Sequence, residues 1–128
     1  MMAGLTVHHL NCGTMHPMGG RLVDPQRHFQ RGCLACHCLL IETPTSGLVL
    51  VDTGLGAADV ARPNRFPAMF RLFSGAQFVT SEPAIAQLRA AGHDPADVRH
   101  IVMTHLDLDH TGGLGDFPDA QVHVHERE

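Results

Sequence analysis

Apolar residues fall in short runs punctuated by glycine, proline and serine, which predicts strands first and a helix only later. Residues 5–10 (LTVHHL) form a short run with β-branched members and predict an opening strand. The following NCGTMHPMGG is rich in Gly and Pro and reads as loop, and residues 21–32 are polar and irregular. CHCLLIE at 36–42 and LVLV at 48–51 flank Pro44, Thr45, Ser46 and Gly47, the pattern of a β-hairpin. The second run is apolar throughout, as in a strand buried on both faces. Residues 57–80 read as a loop with a helical turn around 68–73. Residues 81–91 predict a helix, with Ser81 as N-cap, Pro83 in the first turn, Ile85 and Leu88 on one face, and Gly92 as the stop. Asp94-Pro95 starts a single turn. Strands are expected at 100–104 and 120–125. The order strand, hairpin, loop, helix, strand, strand implies an α/β fold with a mixed sheet and flanking helices, in one domain over 1–128.

The chain has 128 residues, 44% hydrophobic and 17% charged, a globular balance rather than a disordered one. Its formal charge of −4 offers no basic footprint for nucleic acid, and no apolar run is long enough for a membrane span. The start MMAGLTVHHLNCG lacks the charged and apolar regions of a secretion signal, so a cytoplasmic location is expected. Three of the four cysteines crowd into Cys33, Cys36 and Cys38, with Cys12 upstream, which suits free thiols better than a disulfide framework. Eleven histidines are a large excess, and His is both the commonest metal ligand and the usual neutral-pH acid–base group.

The chemistry concentrates in His105-Leu106-Asp107-Leu108-Asp109-His110, directly after a predicted strand and before Thr111-Gly112-Gly113. In an extended segment His105, Asp107 and Asp109 point one way, and Leu106 and Leu108 point the other way, into the core. His110 breaks the alternation and is expected to aim elsewhere, dividing the ligands between two adjacent ions. Imidazole and carboxylate ligands that leave a position open allow a divalent ion to lower the pKa of bound water to about 7 and to polarise a carbonyl or phosphoryl oxygen.

The segment THLDLDHTGGL resembles the signature of metallo-β-lactamase-fold hydrolases, His-x-His-x-Asp-His followed by a Gly pair, and Leu50-Val51-Asp52-Thr53-Gly54 is similar to that family's earlier motif. The resemblance covers roughly residues 34–125 and implies a metal-dependent hydrolase that uses metal-bound hydroxide. His105 and Asp107 then face a first ion and Asp109 and His110 a second. Asp109 also holds the attacking water, and Asp52 lies beneath as a group that orients the ligands. Zinc is the implied ion. Asp107 stands where the family has His, which makes the site harder and brings in iron or manganese. The family's domain is two αββα halves, and the second half supplies a further His, a bridging Asp and a last His. This chain resembles the N-terminal half only, so a truncated domain is expected, with a homodimer as one way to cover the open half. The early layout is most similar to lactonase-like members, which implies a small-molecule ester, lactone or related acyl substrate. Phe66, Met69, Phe70, Phe73 and Phe78 then either wall an acyl pocket or cover the core. Two alternatives follow from the same residues: a non-catalytic metal-binding remnant, or a di-iron redox protein, the latter motivated by Asp107.

Other groups weigh less. Asp107, Asp109, Thr111 and Gly112 match the start of a calcium loop, but Pro118 stands where its bidentate Glu belongs and no helix pair flanks it. Cys33-x-x-Cys36-His37-Cys38 offers a zinc or redox cluster, but apart from Cys12 and His16 no second pair stands at zinc-finger spacing, and Cys36 and Cys38 alternate on a strand and read as small buried hydrophobes. His8, His9, His16, His123 and His125 read as surface histidines, with His16 the best placed to border a site. Thr111 reads as a helix cap.

Overall fold

The computed structural model describes residues 4–23, 25–26 and 30–128. Of the irregular stretch expected over 21–32, residues 24 and 27–29 lie outside the described residues, as do 1–3 of the N-terminal segment.

Among the described residues, five strands form one sheet in the order β1-β2-β3-β4-β5. They are β1 (Thr6–Met15), β2 (Leu34–Glu42), β3 (Leu48–Val51), β4 (Val98–Val102) and β5 (Gln121–His123). The first three pair antiparallel, and β3-β4-β5 pair parallel, so the sheet is mixed, as expected. The helices are α1 (Gly20–Val23), α2 (Ala57–Ala61), α3 (Ala68–Ser74), α4 (Ala84–Ala90) and α5 (Leu108–Thr111).

Strand β1 runs five residues beyond the expected end at Leu10. Its register shifts between Asn11 and Thr14, and pairing then resumes with Thr14 opposite Ala35 and Met15 opposite Leu34. An irregularity of this kind absorbs Cys12-Gly13 and lets a Gly-containing segment stay in the ladder. The hairpin of β2 and β3 is present and closes with the Thr43 N–H donating to the Gly47 carbonyl. LVLV is buried on one face only: Leu48 and Leu50 are in the core, while Val49 and Val51 are half-buried.

Over 57–80, α3 lies where a helical turn was expected, and the segment expected as loop before it also carries the short helix α2, joined to α3 through a 3-10 turn. Helix α4 starts three residues later than predicted, with Pro83 rather than Ser81 at its N-cap. The Glu82 carboxylate instead accepts from the Thr14 N–H at 2.8 Å and the Thr14 hydroxyl at 2.6 Å, tying the segment to β1. At the other end Gly92 has φ 84, and the His93 N–H reaches back to the Leu88 carbonyl, the left-handed stop that Gly permits. Strand β4 lies two residues earlier than expected, because the Thr104 N–H leaves the ladder to meet Asp52.

Ile85 and Leu88 of α4 bury against Leu40, Leu50, Val98 and Ile101 of the sheet. A second cluster of Met15, Cys36, Leu55, Val60 and Phe66 lies under α2 and α3. No helix among the described residues is long and apolar enough to cross a membrane.

Candidate metal centre

The site forms where β3 and β4 end side by side. After Val51 the chain turns sharply, with Asp52 at φ 59 and Gly54 at φ 64. The left-handed region is uncommon for a non-glycine residue, though Asp tolerates it better than most. The Asp52 N–H still donates to the Val102 carbonyl at 2.9 Å, so the turn starts from a fixed point of the sheet.

Asp52 is buried, and its carboxylate gathers three donors. One oxygen accepts from the Thr104 N–H at 2.8 Å. The other accepts from the Thr104 hydroxyl at 2.6 Å and from His110 Nδ1 at 3.0 Å. An ionised carboxylate only accepts, so His110 carries its proton on Nδ1 and leaves Nε2 as the free lone pair. The Thr104 hydroxyl spends its proton on Asp52 and therefore accepts from His105 Nδ1, 2.9 Å away. One buried carboxylate thus sets the tautomer of both imidazoles, directly at His110 and through Thr104 at His105. Thr104 was not singled out in the sequence, although its place beside His105 and its β-branched hydroxyl were visible there.

The freed nitrogens each face a carboxylate. His105 Nε2 lies 3.5 Å from Asp107 Oδ2, and His110 Nε2 lies 3.5 Å from Asp109 Oδ2. The two imidazole rings stand 4.1 Å apart between centroids. Ligand atoms of His105, Asp107 and Asp109 lie within 4.8 Å of one another, as do those of Asp52, His105 and His110. The structure therefore brings all five expected residues together.

Four local expectations change. The motif is not extended throughout: Asp107 is the N-cap of α5, so Asp109 and His110 project from a helical turn. That turn carries His110 back toward His105 rather than elsewhere. Leu106 and Leu108 are exposed instead of anchoring the loop in the core. The anchor is Thr53, whose N–H and hydroxyl both donate to the His110 carbonyl, at 2.9 and 2.8 Å, while its hydroxyl accepts from the Gly113 N–H. Thr111 is the last residue of α5, and its hydroxyl donates back to the Asp107 carbonyl rather than capping the start.

Glycines serve close approach here. Gly112 and Gly113 have negative φ, but a Cβ on Gly112 would strike the Asp59 carboxylate and one on Gly56 would strike the Gly112 carbonyl. The motif packs flush against the turn after β3 for that reason.

Around the site, Phe66, Phe70 and Phe78 pack with the second core cluster, whereas Met69 and Phe73 stay exposed. Cys12, Cys36 and Cys38 are buried and free, and Cys33 is exposed. Burial, with the Asp109 charge second, pushes the Cys36 thiol up to about 12. The Cys12 side chain beside Cys38 and then burial push Cys38 up as well. Neither is a ready thiolate. His16 Nδ1 faces the Gly32 carbonyl at 3.1 Å, and His123 and His125 are exposed.

The Metallo-beta-lactamase superfamily sequence model matches residues 31–128. A probable metallo-hydrolase of Mycobacterium tuberculosis is 47% identical over 118 residues, 92% of this chain and 34% of that protein. An N-acyl homoserine lactonase of Bacillus cereus is 34% identical over 92 residues, 71% of this chain and 36% of that protein. The chain thus spans about a third of the length of these relatives. A solved N-acyl homoserine lactone hydrolase, with N-hexanoyl-L-homoserine at its catalytic metal centre, superposes with a TM-score of 0.71 at 24% identity, over 95% of this chain and 48% of that one. Its fold, its two motifs and these matches make the chain a member of the metallo-beta-lactamase superfamily.

Proposed function

We propose that this chain carries the metal-binding half-site of a hydrolase acting on lactones of the N-acyl homoserine class. The observation that carries the reading is the shared hold of Asp52 on His105 and His110, which leaves both Nε2 atoms free beside carboxylates. The donor set fits a divalent ion: imidazole and carboxylate suit zinc, iron and manganese. His105 and Asp107 would hold one ion, and Asp109 and His110 a second. Bound there, the ions would supply Lewis acidity toward the carbonyl and lower the pKa of water. The chain's own residues prepare this. Asp52 and Thr104 orient the rings, Thr53 fixes α5, and Asp109 accepts a proton from the attacking water and aims it. The lactone class rests on the likeness to lactonases and on the exposed apolar side chains of Leu106, Leu108, Met69 and Phe73, suited to an acyl chain. Zinc is the first expectation; Asp107 in place of an imidazole favours iron or manganese next.

Elemental analysis of tag-free protein purified without added zinc tests this. One to two equivalents per chain are expected, with a drop in Asp109→Ala. An empty, well-folded chain would refute the centre. Hydrolysis of an N-acyl homoserine lactone that survives undiminished in Asp109→Ala would refute that residue's role. A second reading, a metal-holding unit without turnover of its own, is favoured by the 79% exposure of the Asp107 side chain. Turnover by the 128-residue chain alone would remove it. Iron found in place of zinc would instead favour the di-iron alternative.

A further inference from the structure

Four histidines outside the motif meet in two pairs, and each pair joins an edge strand to its inner neighbour. His9 of β1 and His37 of β2 bring Nδ1 and Nε2 within 2.9 Å. His100 of β4 and His123 of β5 bring Nδ1 and Nε2 within 3.1 Å. The register places both pairs on the same face of the sheet, the one opposite Leu40, Leu50 and Ile101. Leu39 pairs with both His9 and Val51, Val51 with Val102, and Val102 with His123. His9, His37 and His123 are exposed and His100 is half-buried. Among the described residues, neither pair shares a side-chain hydrogen bond or ring contact with the motif or Asp52.

In each pair one ring N–H donates to the other ring's lone pair, since two protonated or two proton-free nitrogens would repel at this distance. The rings meet edge to edge, with centroids 5.1 and 5.2 Å apart. An ion can take the place of that shared proton. Two imidazole nitrogens bound at about 2.0–2.1 Å stand about 2.9 Å apart at a right angle and about 3.4 Å apart at the tetrahedral angle. The His9–His37 spacing of 2.9 Å matches the right-angle value and the His100–His123 spacing of 3.1 Å lies between the two, nearer the right angle, which favours tetragonal Cu(II) or Ni(II) over tetrahedral zinc.

We propose that His9–His37 and His100–His123 are two edge clips, each taking one tetragonal divalent transition ion, Cu(II) or Ni(II), apart from the motif centre. The rings, three of them exposed and His100 half-buried, turn about their side-chain bonds to aim both lone pairs at the ion, and water fills the remaining positions. Each clip fastens an outer strand, β1 or β5, to the sheet. Binding to the folded form alone then raises the melting temperature with ion concentration.

The test is equilibrium dialysis of the 128-residue chain against Cu2+ near pH 7, with His37→Gln and His123→Gln beside the wild type. Glutamine keeps a polar side chain at a surface position, so the fold is unaffected, checked by circular dichroism. Each variant is expected to bind one copper fewer than the wild type. In NMR spectra, paramagnetic broadening should vanish from β1–β2 in the first variant and from β4–β5 in the second. An unchanged copper count in both variants, or broadening confined to residues 104–111, would overturn the proposal. The strand-specific broadening separates it from failure of the motif centre, which involves none of these four residues.

Discussion

Single side chains decide how the site is set. Thr104→Val removes the hydroxyl that links Asp52 to His105 while keeping the branched shape. It is expected to weaken ion binding by about 10–100-fold, the usual effect of losing a partner that orients a ligand, with Thr104→Ser restoring it. Ion affinity by competition with a chelator checks both; equal affinity in the Val variant would show that Thr104 orients nothing. The thiols make a second prediction. Cys36 and Cys38 are buried with raised pKa values, and Cys12 is buried, so alkylation of native protein at pH 8 should label Cys33 alone. Mass spectrometry after a short pulse reads the result, and labelling at Cys36 would contradict it. At this scale the gathering of the five expected residues was legible, because His and Asp at motif spacing are drawn together by the turn after the strand. Thr104 was not, because a lone Thr carries no such signal until its neighbours are placed.

At the level of elements, the motif depends on how closely α5 approaches the turn after β3. Gly112→Ala forces a Cβ against the Asp59 carboxylate, which already accepts from the Gly56 N–H at 2.9 Å and faces Arg65. Overpacking of this kind costs about 1–3 kcal/mol, so the variant should melt several degrees lower and bind ions more weakly; an unchanged melting temperature would show that the contact yields. Asp116, beside α2, accepts from the Ala57 N–H at 2.9 Å. Burial raises its pKa, against a smaller lowering by that hydrogen bond. A carboxyl whose folded pKa is raised contributes stability below its unfolded pKa and loses it as pH rises through the folded value. Asp116→Asn keeps an acceptor and removes the charge. It should melt higher than wild type at pH 7, with the gain fading near pH 3; a loss at pH 7 would mean the hydrogen bond outweighs burial. Elements with a periodic pattern, such as the β2–β3 hairpin and α4, were legible. Helix α3 was legible as the helical turn expected around 68–73, but helix α2 was not, because it is only five residues long with Pro63 close behind it, and tertiary packing of Val60 supplies the order. The end of β1 was missed because its partner strand, not its own Gly-containing sequence, holds it extended.

For the whole molecule, the sheet divides the chain unequally. One face carries the core; the other presents Val7, Leu39, Ile41, Val49, Val51 and Val102 between the edge pairs His9–His37 and His100–His123, with Val7 46% and Val102 40% exposed. Period-two alternation predicts two faces but not what each meets, so LVLV read as buried on both sides while the structure covers only one. A contiguous apolar face of this kind is unusual on a solitary domain. The expected homodimer follows as a physical proposal: two such faces pressed together remove their central valines, Leu39 and Ile41 from water, with the histidine pairs left at the rim. Sedimentation velocity of the 128-residue chain should then give a species heavier than 13.9 kDa, its share rising with concentration. Val102→Lys puts a charge on the face that must be buried, and should return the chain to the monomer mass. A monomer at every concentration, with strong binding of a dye that reports apolar surface, would instead mean that the face stands open and that a second copy does not cover it.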